Sequence, residues 1–167
     1  LGQKAKILIE EARDIIADKL NCKPKEVIFT SGGTESNNLS LIGTLAGIES
    51  KGKHIVISSV EHPSIIETCN YLKNGGYEIT MLNPNQNGDL CVTEFQKAIR
   101  DDTVLASIMY VNNETGIIHN IDQITSICQD KDIIIHCDAI QAFGKITLDF
   151  NKISIDFICN FIVCQVH

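Results

Sequence analysis

Apolar and polar positions alternate between two periods along this chain, and the alternation repeats from end to end. Ala5, Leu8, Ile9, Ala12, Ile15, Ile16 and Leu20 recur every three or four residues, which predicts an opening amphipathic helix. Asn21 to Lys25, with Pro24, ends that helix, and Val27-Ile28-Phe29 then predicts a short buried strand. Beyond a small-residue turn, Leu39, Ile42, Leu45 and Ala46 share one helical face, in a helix expected to run to about Ser50. The pattern continues with a strand over His54–Ser58, and then a helix that starts at Pro63, carries Ile65, Ile66, Cys69 and Leu72, and stops at Asn74-Gly75-Gly76. Tyr77–Leu82 predicts a strand, and the turn-forming run from Asn83 to Gly88 follows it. Thr93 and Gln96 have capping-box spacing for a helix through Ile99. Val104–Val111 predicts a strand, Asp122–Gln129 a helix, Ile133–Cys137 a buried strand, and Ile153–Val163 a final strand.

Strands that alternate with helices, without repeats or low-complexity linkers, predict an α/β fold: a mostly parallel, doubly wound sheet with helices on both faces. At 167 residues the chain has room for one domain with a substantial core. Hydrophobic residues make up 44% and charged residues 21%, an ordinary globular balance. The net charge of −7 argues against a nucleic-acid or anionic-membrane surface. No apolar run is long enough to span a bilayer, and the N-terminus lacks a signal-peptide pattern, so a cytoplasmic protein is expected. The seven cysteines are scattered and form no C-x-x-C pair, so the expectation is reduced thiols and no metal site.

In a parallel sheet, ligands gather at the carboxyl ends of the strands. Four of those ends are polar here: Ser31 to Thr34, Glu61-His62, Asn112-Asn113 and Asp138. Gly33 and Thr34 open a helix, whose unpaired N–H groups suit an anion such as a phosphate. An anion cradle, an imidazole, an amide and a strand-end carboxylate together fit pyridoxal phosphate. Asp138 is placed to pair with a pyridinium nitrogen, His62 to stack on the ring, and Asn113 or Gln141 to bond its phenolic oxygen. Taken singly, Thr34 and Asp138 also read as helix N-caps, and His62 as a cap for the helix at Pro63.

Four motifs carry a resemblance to a known family: Phe29-Thr30-Ser31-Gly32-Gly33-Thr34-Glu35-Ser36-Asn37-Asn38, Glu61-His62, Val111–Gly116 and His136–Lys145. In order and spacing, from about Ala12 to Asp156, they resemble the cysteine desulfurases of the class V aminotransferase group. The resemblance implies a fold-type I pyridoxal-phosphate large domain, incomplete at both ends and without the small domain. It implies phosphate contacts from Gly33 and Thr34, ring stacking and proton movement by His62, ring-oxygen contacts from Asn113 and Gln141, and a ring-nitrogen partner in Asp138. The family reaction takes L-cysteine to alanine and passes the sulfur, through an enzyme persulfide, to iron–sulfur cluster assembly or tRNA thiolation. A homodimer and sulfur-accepting or scaffold proteins are the implied partners. A selenocysteine lyase, another class V fragment, or a non-catalytic cofactor-binding or dimerisation module are the alternatives.

The pattern breaks near the end. The family's Schiff-base lysine closes a Ser-x-His-Lys motif, and its position falls on Cys164 or, with one residue added, on Gln165. Neither is an amine, so this chain is expected to be inactive by itself. Lys145 and Lys152 lie nearby but outside the motif and are expected to be exposed.

Overall fold

A computed structural model describes residues 2–48, 52–146, 154–159 and 163–166, with the backbone alone for the last four. The helices are α1 (Gly2–Leu20), α2 (Gly33–Gly47), α3 (Pro63–Asn74), α4 (Val92–Ala98) and α5 (Ile121–Asp130). The strands are β1 (Val27–Phe29), β2 (His54–Ser58), β3 (Glu78–Leu82), β4 (Thr103–Ser107), β5 (Ile134–Asp138), β6 (Phe157–Cys159) and β7 (Val163–Val166). They form one sheet in the order β1-β7-β6-β5-β4-β2-β3. All pairings from β3 to β6 are parallel, and β7 runs antiparallel to both β6 and β1.

Helices cover both faces, as the alternating pattern predicts. Successive residues of β2 point in opposite directions, so Ile55 and Ile57 join Leu41, Leu45, Ile65, Cys69 and Leu72 under α2 and α3. Val56 faces the other way and packs with Phe95, Ile121, Ile124 and Cys128 under α4 and α5. Strands buried on both faces cannot show a simple two-residue alternation, which is why β2 reads as a continuous apolar run.

Several boundaries differ from the sequence expectations. The last strand is not a single run over 153–163, since β6 and β7 form an antiparallel pair there, and residues 147–153 and 160–162 lie outside the described residues. The expected end of α2 at Ser50 also falls outside them, and the described helix closes at Gly47. Strand β4 stops at Ser107, although Ile108 N and Tyr110 N still donate to His136 O and Asp138 O before the chain turns away. The Thr93 capping box does not form. Helix α4 begins two residues earlier than a Thr93 cap would give, with Cys91 as its cap and no side-chain capping bond, in a register that seats Phe95 fully in the core.

The faces of α1 and α2 also differ from their apolar periodicity. Of α1, only Ala17 and Leu20 are buried, and Leu8, Ile9 and Ile15 are exposed. On α2 the expected inward residues Leu39 and Ile42 face outward, 44% and 36% exposed. Its buried face is Ser36, Asn37, Ser40, Leu41, Thr44 and Leu45, which is largely polar. The reason lies in the sheet below, where α2 crosses a polar row. Ser107 Oγ lies 2.8 Å from His136 Nδ1, and His136 Nε2 lies 3.2 Å from Cys159 Sγ. Ser40 Oγ is 3.0 Å from the same sulfur. Burial without an opposite charge pushes the His136 imidazole down to about 3, so it is a neutral cross-strand link.

This inversion has a direct test by chemical denaturation. Leu41→Ala is expected to lower stability by about 2–5 kcal/mol, because it opens a cavity at a fully buried position. Leu39→Ala, two residues away on the expected apolar face, is expected to change it by less than about 0.5 kcal/mol.

Candidate cofactor site

The carboxyl ends of β1, β2, β4 and β5 converge on one edge of the sheet. A cavity of about 280 Å³ opens there, lined by Gly33, Thr34, His62, Met109, Val111, Asn113, Asp138, Ile140 and Gln141. That is near the lower end of the size range for small-molecule clefts. All six residues picked out by the sequence line this one cavity.

The cradle is built from β1, a tight turn and the start of α2. Gly32, not Thr34, is the N-cap, in extended backbone, and it has no side-chain capping bond. Thr34 is therefore the second residue of the helix and stands exposed over the cavity. The first-turn N–H groups of a helix have no intrahelical acceptor, which makes this end a natural anion site. The glycine at position 33 lets Ile140 pack close, since a Cβ there would displace the end of its side chain. Nearby, Glu35 Oε2 accepts from Ser31 N, which closes the turn.

His62 caps α3, as its position before Pro63 allows: Ser64 N donates to its Nδ1 at 3.1 Å, and Ser64 Oγ lies 2.8 Å from the same atom. Capping and lining the cavity are compatible, because the cap uses one ring edge. Asp138 ends β5 and is 4% exposed. Its Oδ1 accepts from Ile140 N at 3.0 Å and its Oδ2 from Asn37 Nδ2 at 2.9 Å. Burial raises the Asp138 carboxyl above its ordinary range, opposed by these two bonds. Gln141 is half-buried, and its Oε1 accepts from Lys145 Nζ at 2.6 Å, with Lys145 exposed as expected.

The asparagine pair divides its work. Asn113 is exposed at the cavity, whereas Asn112 is buried and builds the loop. Asn112 Nδ2 donates to Val60 O at 3.1 Å, and its Oδ1 accepts from Glu114 N and Thr115 N. Cys164 and Gln165, the positions aligned with the family lysine, belong to β7, and their side chains lie outside the described residues.

Sequence reasoning missed three residues. Glu61 was part of a motif but had no role. It is 4% exposed, its Oε1 accepts from Ser58 Oγ at 2.5 Å and from Met109 N at 2.8 Å, and its Oε2 has no partner among the described residues. Asn37 and Ser64, which bond each other at 3.0 Å, had no role assigned from the sequence. The available signal was that polar residues sit at helix spacing on the inward face of α2: Ser36, Asn37, Ser40 and Thr44.

Comparison with known proteins agrees with this geometry. The sequence profile of the aminotransferase class-V family matches residues 1–160. This chain belongs to the aminotransferase class-V family. Within that family it is 44% identical over 157 residues to the cysteine desulfurase IscS of Shewanella oneidensis, covering 94% of this chain and 39% of the relative. IscS of Buchnera aphidicola is 45% identical over 155 residues, covering 93% and 38%. The class-V chain thus spans about two fifths of the length of the curated relatives it matches. Among solved structures, SspA in complex with cysteine superposes with a TM-score of 0.92 at 34% identity, covering 99% of this chain and 50% of that one. DndA from Streptomyces lividans gives 0.91 at 33% identity, covering 99% and 49%. The likeness establishes the pyridoxal-phosphate fold-type I architecture for this domain. The profile match ends before residue 161, so β7 lies beyond it.

Glu61 predicts a pH dependence of stability. Burial pushes its carboxyl from 4.5 up to about 8. Between those values the unfolded chain releases a proton that the folded chain keeps, so this group lowers stability as pH rises through the window. Glu61→Gln keeps the shape and removes the titration. Denaturation midpoints of the variant are expected to gain on the wild type from about pH 4.5 to about pH 8. Parallel curves would show that Glu61 ionises normally.

Proposed function

We propose that this chain forms the pyridoxal-phosphate-binding part of a cysteine desulfurase-type enzyme. The observation that carries the reading is that one cavity gathers Gly33, Thr34, His62, Asn113, Asp138 and Gln141 from four separate segments of the chain. The donor set suits the cofactor. The bare α-carbon of Gly33 beside Ile140 leaves backbone N–H groups of α2 open to the phosphate, and Thr34 adds a hydroxyl. The Asp138 carboxyl is held above its usual range by burial, and a protonated ring nitrogen beside it would bring the opposite charge that favours its ionised form. His62 presents its imidazole to the ring, while Asn113 and Gln141 offer amide donors to the ring oxygen. Bound pyridoxal phosphate supplies an electron sink for bonds at the substrate's α-carbon.

The remaining assignments follow from the same reading. L-cysteine is the substrate of the whole enzyme, and its sulfur passes to acceptor or scaffold proteins for iron–sulfur cluster or tRNA supply. By itself this chain does not turn over cysteine, because Cys164 and Gln165 stand where relatives carry the lysine. A homodimer is supported by the apolar side chains left open on α2 and α3, with Leu39 at 44% and Tyr71 at 65% exposed. Cys69, Cys128, Cys137 and Cys159 are buried thiols, as suits a reducing, cytoplasmic setting. Among the described residues, no helix is long and apolar enough to cross a membrane.

Titration of the chain with pyridoxal phosphate, followed by cofactor absorbance, tests the reading. Saturable binding is expected, weakened about tenfold or more by Asp138→Ala and by Gly33→Val. Undiminished binding in both variants would place the cofactor elsewhere. Incubation of the loaded chain with L-cysteine is expected to give no alanine, and alanine formation would overturn the assignment of inactivity.

A further inference from the structure

Beneath the cavity floor, Asn37 stands one helical turn after the phosphate-binding end of α2 and is fully buried. The two hydrogens on its Nδ2 go to different places: Asp138 Oδ2 at 2.9 Å and Ser64 Oγ at 3.0 Å. Ser64 Oγ, receiving one of them, is free to give its own hydrogen to His62 Nδ1, 2.8 Å away. A continuous line of bonds, Asp138–Asn37–Ser64–His62, therefore joins the carboxylate and the imidazole that face the cavity.

The direction of that line is fixed by chemistry. An ionised carboxylate only accepts, so the amide must turn its NH2 toward Asp138. His62 Nδ1 also accepts from Ser64 N at 3.1 Å, so it carries the lone pair and the proton of the neutral ring sits on Nε2. Keeping this orientation leaves Asn37 Oδ1 buried with no partner among the described residues. A residue that only filled space between α2 and the sheet would not strand an acceptor there.

We propose that Asn37 is a positioning residue that, through Ser64, holds Asp138 and His62 as one unit and sets the imidazole as the Nε2–H tautomer. Neither Asn37 nor Ser64 lines the cavity of Gly33, Thr34 and Gln141, so both act through the residues that do. The proposal rests on the reading of this cavity as the cofactor site, but the bond line stands in the unloaded chain and is tested there. Asp138 is faced by His62 and, further off, by Glu61, and the substitutions at Ser64 and Asn37 that test the line leave both groups in place.

Nitrogen-15 and carbon-13 NMR of the unloaded chain reads the unit directly, with His62 signals assigned by their loss in His62→Gln. In the wild type, His62 is expected as the Nε2–H tautomer, and the two Asn37 amide protons as separate, exchange-protected signals. Ser64→Ala, which keeps the capping N–H, is expected to shift an Asn37 amide proton, raise the midpoint of the Asp138 carboxyl titration and weaken the His62 tautomer preference. Ser64→Thr, which keeps the hydroxyl, is expected to restore all three. Asn37→Ala is expected to raise the Asp138 midpoint further and mix the His62 tautomers. The proposal is overturned if Ser64→Ala alters His62 alone and leaves Asn37 and Asp138 unchanged, and this arm decides the matter even where Asn37→Ala does not fold. Pyridoxal-phosphate titration of the same proteins separates the two claims. Loss of the linked NMR response with normal wild-type cofactor binding sinks the bond line only, and an intact response with no wild-type binding sinks the cofactor reading only.

Discussion

A carboxylate taken out of water is the constraint around which this domain is arranged. Asp138 sits at the end of a central strand with 4% of its surface exposed, and an ion so placed costs several kcal/mol unless dipoles replace the lost water. Two donors do so, one from its own turn at Ile140 and one from Asn37 on α2. The second requires a polar helix face to lie against the sheet. That face then meets His136 and Cys159 on the same side of β5 and β6, and Ser40 bonds the sulfur. The apolar residues Leu39 and Ile42 are turned outward as a consequence. One electrostatic requirement thus sets the rotation of α2, and with it the aim of the helix end that carries Gly33 and Thr34.

Most of the architecture was legible in the sequence because it depends on local pattern. The strand and helix alternation, the parallel sheet and the cover on both faces follow from runs such as Ile55-Val56-Ile57 and from helices such as α3, whose apolar residues lie where a 3.6-residue period puts them. The six cavity residues were legible for a related reason. Strand ends are recognisable locally, and a parallel sheet brings them to one edge whatever the details of packing.

What could not be read depends on contacts between distant segments. Periodicity assigned the wrong face of α2 because hydropathy counts Asn37 and Ser40 as polar without seeing Asp138 and Cys159 opposite them. In α1, the apolar stripe specified a helix correctly but not its burial, since its contacts with Val27 and Phe29 come from Arg13 onward, in its C-terminal half. Glu61 stood in a strand-end motif with His62, without a role of its own. Its raised carboxyl comes from burial in the folded domain, against which the bonds from Ser58 and Met109 N act. Thr93 offered a plausible cap, but the need to bury Phe95 fixed the register of α4 instead.

The placement of β7 bears on the order in which the domain can be completed. Strand β1, which delivers the chain to the phosphate cradle, lies at the sheet edge, and its neighbour in the sheet is β7. Val27 pairs with Gln165, so nearly the whole chain separates the two partners. Closing so long a loop is entropically expensive and is rewarded only when both strands are present. During synthesis β2, β3 and β4 have their parallel neighbours as soon as β5 emerges, whereas β1 must wait for β7. The first part of the cradle to be made is thus fixed in the sheet only after β7 has been made, which ties the capacity to hold an anion to the pairing of two strands far apart in sequence.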